Sequence, residues 1–306
     1  MKKIVVFGCQ QIAVDFIRYV VTQRDVLIAL IVTYELPLDK TYGYESVIEN
    51  FSNSDIEVLS PPKITKSLID KVRNISPDYI FSTYYRQILP KSLLSTAKFS
   101  SINIHPSLLP YYRGPVPTAW TIENGEKYFG ITIHLMDEGI DTGDILVQEK
   151  YSILENETGF ELYSRGMKLG YELLKNNFSE IINNKITPKP QIGIGSYYGK
   201  KNGKHTINWQ DKAEKINNKI RIHSVPYNPA ESSLFNRYIF INKATPTYDK
   251  KYISQGCGKI VDIIDNDKLV ISCADGCLIL DDYKIIPELD EKEKNIYLKV
   301  GNKLGI

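Results

Sequence analysis

Two hydrophobic periods alternate along the first half of this chain. Lys3-Ile-Val-Val-Phe-Gly8 is a short continuous apolar run closed by glycine, and helical spacing follows it through Gln23. The opening therefore reads as a strand feeding a helix. Val26 to Thr33, Asp78 to Tyr84 and Ser100 to Ile104 read as further strands, with helical stretches such as Lys66 to Asn74 between them. Strands alternating with helices predict an α/β fold: a Rossmann-like, doubly wound, mostly parallel sheet covered on both faces. Phe129 to Met136 alternates as a strand. Thr158-Gly-Phe-Glu161 is a capping box that opens a long helix to about Asn184.

The composition then shifts. Residues 185–204 are rich in Pro, Gly and Lys and read as a connection. Beyond it come a short helix, Asp211 to His223, and short strands at Tyr238 to Ile241, Lys259 to Ile264, Lys268 to Cys273 and Cys277 to Asp282. Short strands separated by turn signals predict a smaller C-terminal β-barrel. The expected organisation is a first domain over residues 1–188, a linker over 189–205 and a β-barrel domain over 206–306.

The totals narrow the function classes. A chain of 306 residues holds one large core or two modest ones. The net charge of +2 argues against a dominant electrostatic grip on a polyanion. Four scattered cysteines, Cys9, Cys257, Cys273 and Cys277, suit a reducing compartment, and no matching Cys or His pair completes a zinc site. Cys273 and Cys277 flank Ala-Asp-Gly and read as strand residues beside a hairpin turn. Gln10, Gln11 and Asp15 break the N-terminal apolar run too early for a signal peptide, and no stretch reaches transmembrane length. The expectation is a cytoplasmic protein without a metal. Gly8 lacks the second and third glycines of a dinucleotide fingerprint, so it is read as easing a tight strand-to-helix turn rather than as a nicotinamide site. The 21 tyrosines fit half-buried strands or a polar-aromatic lining for a sugar or base.

The chemistry concentrates in two segments, Ser101-Ile-Asn-Ile-His-Pro-Ser-Leu-Leu-Pro110 and Met136-Asp-Glu-Gly-Ile-Asp-Thr-Gly-Asp144. Asn103 and His105 are two apart, so on a strand both side chains face one way. The prolines that follow end the strand and leave the pair at its rim, where ligands bind in open α/β sheets. An imidazole with a free pKa near 6.5 suits proton transfer at neutral pH. His134, inside the Ile-Thr-Ile-His-Leu strand, is read as structural.

Asn-x-His, Ser-Leu-Leu-Pro, Tyr112-Arg-Gly114 and Gly139-Ile-Asp-Thr-Gly-Asp144 together resemble the catalytic signature of the 10-formyltetrahydrofolate-dependent formyltransferases. The resemblance implies 10-formyltetrahydrofolate as co-substrate and Asn103, His105 and Asp141 as catalytic residues. Asn103 would donate its amide N–H to the formyl oxygen. His105 would act as base toward the attacking amine, and Asp141 would pair with His105 and raise its pKa. Asp144 is expected to tie the loop. The resemblance further implies a folate site between Gly139, Ile140, Thr142 and Gly143 on one wall and Arg86, Gln87 and Ile88 on the other.

The C-terminal half, with Ile207-Asn-Trp209, Ile220-Arg221, Gly-Lys-Ile at 258–260 and Asp275-Gly276, is similar to the OB-like domain of methionyl-tRNA and aminoarabinose formyltransferases. Three acceptors follow from the family: an amino sugar on a nucleoside diphosphate, methionyl-tRNA, or water. Tyr84-Tyr85-Arg86 and Trp120 are similar to the sugar-nucleotide enzymes, where the tRNA enzymes tend to carry Ala-Tyr-Gly and no tryptophan. The loop 34–45 has one lysine against three acids, and from Thr206 onward fifteen Lys and Arg face fourteen Asp and Glu. A tRNA binder needs a basic surface, so no nucleic-acid partner is expected. Lys200, Lys201 and Lys204 lean the other way. The hydrolase reading lacks the additional N-terminal domain that such enzymes carry. The expected acceptor is therefore a dTDP- or UDP-linked 3-amino or 4-amino sugar for surface polysaccharide, with no membrane partner and room for a homodimer. Arg113 either clamps the diphosphate or braces its loop, Trp120 either packs on the sugar or plugs its helix, and Tyr112 lies beside them.

Overall fold

A computed structural model of the protein describes residues 1–34, 41–199, 205–252, 256–265 and 267–305. The first-half elements are β1 (Lys2–Gly8), α1 (Gln10–Val20), β2 (Val26–Val32), α2 (Val47–Phe51), β3 (Val58–Leu59), α3 (Lys66–Ile75), β4 (Tyr79–Thr83), α4 (Lys91–Leu94), β5 (Ser100–His105), α5 (Pro117–Glu123), β6 (Tyr128–Leu135), β7 (Ile145–Ser152) and α6 (Gly159–Ile182). The seven strands form one sheet in the order β3-β2-β1-β4-β5-β6-β7. Pairing is parallel from β3 to β5, and β6 and β7 add antiparallel.

This is the mostly parallel, Rossmann-like sheet that the alternation predicts, with β3 and β7 added at its edges. β3 is two residues long, too short for a hydrophobic period. β7 carries Gln148, Glu149 and Lys150 on a half-exposed edge strand, so its apolar signal is thin.

Adjacent residues of β4 serve opposite faces. Phe81 packs with Phe16 of α1 and Phe178 of α6, ring centroids 5.2 to 5.7 Å apart. Ile80 joins Val5, Phe7, Leu30 and Val32 against Leu68 and Val72 of α3. Helices on both sides therefore bury a sheet whose inner strands are apolar on both faces. α6 begins where expected: Glu161 N–H donates to Thr158 Oγ1 (3.2 Å) and Thr158 N–H returns to Glu161 Oε2 (2.9 Å). At the β1–α1 turn the left-handed residue is Gln10 (φ 64°), not Gly8. Gly8 is needed for room, since a Cβ there would overlap Thr83 Oγ1.

The second-half elements are α7 (Ala213–Ile222), β8 (Ala230–Leu234), β9 (Arg237–Thr247), β10 (Ile260–Ile264), β11 (Lys268–Ser272), β12 (Cys277–Ile286), α8 (Glu291–Tyr297) and β13 (Leu304–Gly305). They make a six-stranded antiparallel sheet ordered β10-β11-β12-β9-β8-β13. The two outer strands then meet: Leu304 N–H donates to Gly258 O (2.7 Å) and Ile260 N–H to Asn302 O (2.8 Å). The sheet thus curls until its edges bond each other. Inside it Trp209 is 3 % exposed, among Ile216, Ile220, Ile239, Leu269 and Leu278, and its Nε1–H donates to Ser232 Oγ at 2.9 Å. β8 (Ala-Glu-Ser-Ser-Leu) and β13 escape the sequence pattern because neither carries a β-branched run. The four cysteines are free, and Cys273 N–H donates to Gly276 O across the expected hairpin turn.

By compactness the chain divides into two units. One comprises Met1–Pro117, Tyr128–Ser152 and Ser164–Lys200; the other comprises Thr118–Lys127, Ile153–Tyr163 and Lys201–Ile306. Among the described residues no helix is long and apolar enough to cross a membrane.

Candidate active site

β5 delivers Asn103 and His105 at its C-terminal end, with His105 as its last residue. β6 runs antiparallel beside it and sets His134 directly opposite Asn103. The turn after β6 brings back Asp141, which is held at φ 55°, a left-handed conformation that non-glycine residues adopt at a cost of about 1–3 kcal/mol. Four side chains from these segments meet. Asp141 Oδ2 lies 3.5 Å from His105 Nδ1, and Asp141 Oδ1 lies 3.5 Å from His134 Nε2. Asn103 Nδ2 is 3.1 Å from His134 Nε2 and 3.4 Å from Asp141 Oδ1. Gly114 N–H donates to Asp141 Oδ2 at 2.9 Å.

The hydrogen bonds fix the proton positions. His105 Nε2 faces the Tyr112 carbonyl oxygen at 2.8 Å, so that nitrogen carries the hydrogen. In the neutral ring Nδ1 is then the basic atom, and it looks toward Asp141. His134 Nδ1 lies 2.7 Å from the Leu135 carbonyl oxygen, which leaves Nε2 as an acceptor for one Asn103 amide hydrogen. The second amide hydrogen is held only by the long 3.4 Å contact.

Burial pushes the His105 pKa below its ordinary value. Asp141 and the Tyr112 carbonyl pull it upward, and His134 adds to the lowering. The upward shift expected from Asp141 is thus present but outweighed, because a ring 5 % exposed loses more solvation than one carboxylate restores. Burial also works to raise the Asp141 carboxyl, yet the positive charge that His105 and His134 carry when protonated, together with the Gly114 N–H, holds it well below the usual carboxylate range. The site holds an ionised Asp141 beside a poised neutral imidazole.

The 137–143 turn is tied by Asp137 rather than by Asp144: Asp137 Oδ1 accepts from Thr142 Oγ1 (2.6 Å) and Gly139 N–H (3.0 Å). Asp144 instead offers its backbone oxygen to Leu135 N–H, and its side chain is exposed. At Gly143 a side chain is excluded, since a Cβ would overlap the Leu135 carbonyl oxygen. Across from this turn run residues 84–90, linked to it by the Lys91–Glu138 ion pair and by Met136, which packs against the apolar cluster that includes Tyr85 and Leu89. Ile88 is 70 % and Ile140 39 % exposed, leaving an apolar side chain on each of the two segments. Gln87 is turned the other way, its amide bonding Ile64 N–H and Pro62 O, while Arg86 is exposed.

The remaining candidates separate. Arg113 Nε and Nη2 both donate to Gln191 Oε1 (3.1 and 2.7 Å), an arrangement that braces its loop. Tyr112 stacks on Tyr198 with centroids 5.1 Å apart. Trp120 lies on α5 and is grouped with the barrel residues, whereas Asn103, His105 and Asp141 belong to the sheet unit. Sequence reasoning read His134 as structural and did not single out Gln191. An antiparallel register with His134 opposite Asn103 would have exposed the first. Among the described residues no group of three or more His, Cys, Asp or Glu side chains is placed to hold a metal ion.

A Rossmann-like sheet thus carries an amide, two imidazoles and a carboxylate at its C-terminal rim, groups able to move a proton and to hold a developing negative charge, and comparison gives the class. A family model described as formyl transferase matches residues 22–177, and one described as formyl transferase, C-terminal domain, matches residues 200–288. The chain belongs to the formyl transferase family and is a formyltransferase. Methionyl-tRNA formyltransferase of Clostridium botulinum is 33% identical over 285 residues, spanning 91% of this chain and 90% of its own. An N-formyltransferase from Helicobacter canadensis, solved with folinic acid and dTDP-3-aminofucose, superposes with a TM-score of 0.69 at 24% identity, covering 93% of this chain and 100% of that one. A 4-N formyltransferase from Francisella tularensis does so with a TM-score of 0.63 at 27% identity over 76% of this chain and 92% of its own.

Proposed function

We propose that this formyltransferase moves the formyl group of 10-formyltetrahydrofolate onto the amine of a nucleotide-linked amino sugar. The Gly139–Gly143 turn, where Gly143 has no room for a side chain, and the exposed Ile88 and Ile140 fit a flat pterin ring between two segments. Bound there, the folate supplies an activated formyl group. Asn103 gives its loosely held N–H to the formyl oxygen as charge develops there. His105 takes the amine proton at Nδ1 as the amine attacks the formyl carbon, Asp141 stabilises the resulting imidazolium, and His105 returns the proton to the folate nitrogen as its bond to the formyl carbon breaks, so that tetrahydrofolate leaves.

Charge carries the choice of a sugar over a tRNA. From Thr206 onward basic and acidic residues are nearly balanced, and the loop 34–45 is acidic, whereas affinity for tRNA comes chiefly from neutralising phosphates. Residues 35–40 of that loop, and Lys200, Lys201 and Lys204, lie outside the described residues. The second reading, methionyl-tRNA as acceptor, is favoured by the 33% whole-length identity to the clostridial enzyme. Purified protein given 10-formyltetrahydrofolate with dTDP- and UDP-amino sugars beside methionyl-tRNA decides between them. A formylated sugar nucleotide is the expected product. Formylation of tRNA alone overturns the sugar reading, and release of tetrahydrofolate without either product makes water the acceptor.

A further inference from the structure

Residues 189–198 fall in the segment expected to be a linker, and they form backbone hydrogen bonds with the catalytic loops. Ile145 and Lys189 exchange both backbone bonds (2.7 and 2.9 Å). Arg113 N–H donates to Ser196 O (2.9 Å), Tyr198 N–H to Arg113 O (3.0 Å), Ser196 N–H to Pro110 O (3.1 Å) and Tyr112 N–H to Ser196 Oγ (2.9 Å). This strap adds a short strand-like pairing to a turn that would otherwise have unsatisfied backbone groups.

One side chain of the strap is fully committed to the catalytic loops. Gln191 Nε2 donates both hydrogens, one to Asp141 O and one to Gly143 O, each at 2.8 Å. Its Oε1 accepts Nε and Nη2 of Arg113. The amide therefore joins two loops. The Arg113 loop supplies the Tyr112 carbonyl to His105 and the Gly114 N–H to Asp141; the other loop carries Asp141 itself. We propose that Gln191 is a positioning residue for formyl transfer, holding Asp141 in its left-handed backbone conformation so that its carboxylate stays aimed at His105 and His134. This inference goes beyond the proposed acceptor and rests only on formyl transfer through Asn103, His105 and Asp141.

The physical case is a balance of backbone preferences. Asp141 sits at a left-handed φ of 55°, and such conformations persist only where surrounding bonds over-determine them. Two of those bonds come from Gln191. Without them the peptides around Asp141 are free to relax toward ordinary φ, and a carboxylate 3.5 Å from each imidazole has little distance to spare. Misplacing a catalytic group by about 1 Å costs on the order of 10²-fold in rate.

Two variants separate the halves of this amide. Gln191→Met removes both sets of bonds. Gln191→Glu keeps an oxygen for Arg113 but turns another oxygen toward the carbonyls of Asp141 and Gly143. Each is assayed with 10-formyltetrahydrofolate and whichever of the amino-sugar nucleotide or methionyl-tRNA the wild-type protein accepts, so failure of the sugar reading leaves this test standing. Both variants are expected to lose about 10- to 100-fold in kcat while KM for each substrate stays within about threefold. The charged and titratable side chains facing His105 are Asp141 and His134. Loss of the Asp141 alignment removes an upward influence on the imidazole, so the acid limb of the kcat profile moves to lower pH. A wild-type kcat in either variant overturns the proposal. So does a fallen kcat with an unmoved acid limb, which would mark Gln191 as a purely structural brace.

Discussion

His105 and Asp141 meet through the nitrogen that carries no hydrogen: Nδ1 stands 3.5 Å from Asp141 Oδ2, while Nε2–H is spent on the Tyr112 carbonyl. The ring is thereby locked in one tautomer with its lone pair beside a negative charge. Proton uptake at Nδ1 creates an ion pair where there was a repulsion. Replacing His105 by Ala should lower kcat by roughly 10²- to 10⁴-fold, the usual span of a general base, as read by steady-state transfer assays.

The pH dependence follows with a definite sign. As the proposed base, His105 works in its neutral form, so turnover should be present above its pKa and fall as pH drops through it. Burial lowers that pKa, so the acid limb should lie below the ordinary imidazole value of about 6.5. Asp141→Asn removes the upward contribution of the carboxylate. Its acid limb should shift further down while the plateau falls, and a shift to higher pH would contradict the pairing.

Asn103→Ala should cost roughly 10²- to 10³-fold in kcat by removing a donor to the formyl oxygen. His134 accepts the amide's other hydrogen, so His134→Leu should lower kcat by a smaller factor, about tenfold, with thermal stability nearly unchanged. Equal losses in the two variants would instead show that Asn103 and His134 act as one unit.

Gly143→Ala tests the turn itself. The added methyl would overlap the Leu135 carbonyl oxygen, a backbone atom that cannot step aside. Turnover should collapse while the far-UV circular dichroism stays near that of the wild type. An active Gly143→Ala protein would show that the Asp141 turn has more freedom than its hydrogen bonds allow.

In the barrel, Trp209→Ala empties the centre of its core and should destabilise that unit by about 3–5 kcal/mol in denaturant unfolding. Trp209→Phe keeps most of the volume and loses the bond to Ser232, so it should cost about 1 kcal/mol.

Legibility in the sequence followed how locally each feature is encoded. The capping box at Thr158 lies at the start of one element, and the α/β alternation is a succession of such local periods, so both are readable in the sequence. Asn103 and His105 share a strand, and Asp141 could be carried by motif. His134 needed the β5–β6 register, which no spacing within one strand supplies. Gln191 lies 78 positions from Arg113 and 50 from Asp141, inside a stretch whose prolines and glycines read as a connection. Its role exists only once distant backbone groups have been brought to it. The downward shift of His105 was likewise invisible, because burial belongs to the packed sheet and not to the motif.

The strap also sets an order of assembly. A nascent chain that has emerged only to residue 188 already contains every member of the catalytic cluster and the strands that carry them. It lacks the segment that bonds both catalytic loops. On the role proposed for Gln191, full activity would await the fifty residues that separate it from Asp141, made after all seven strands of the Rossmann-like sheet.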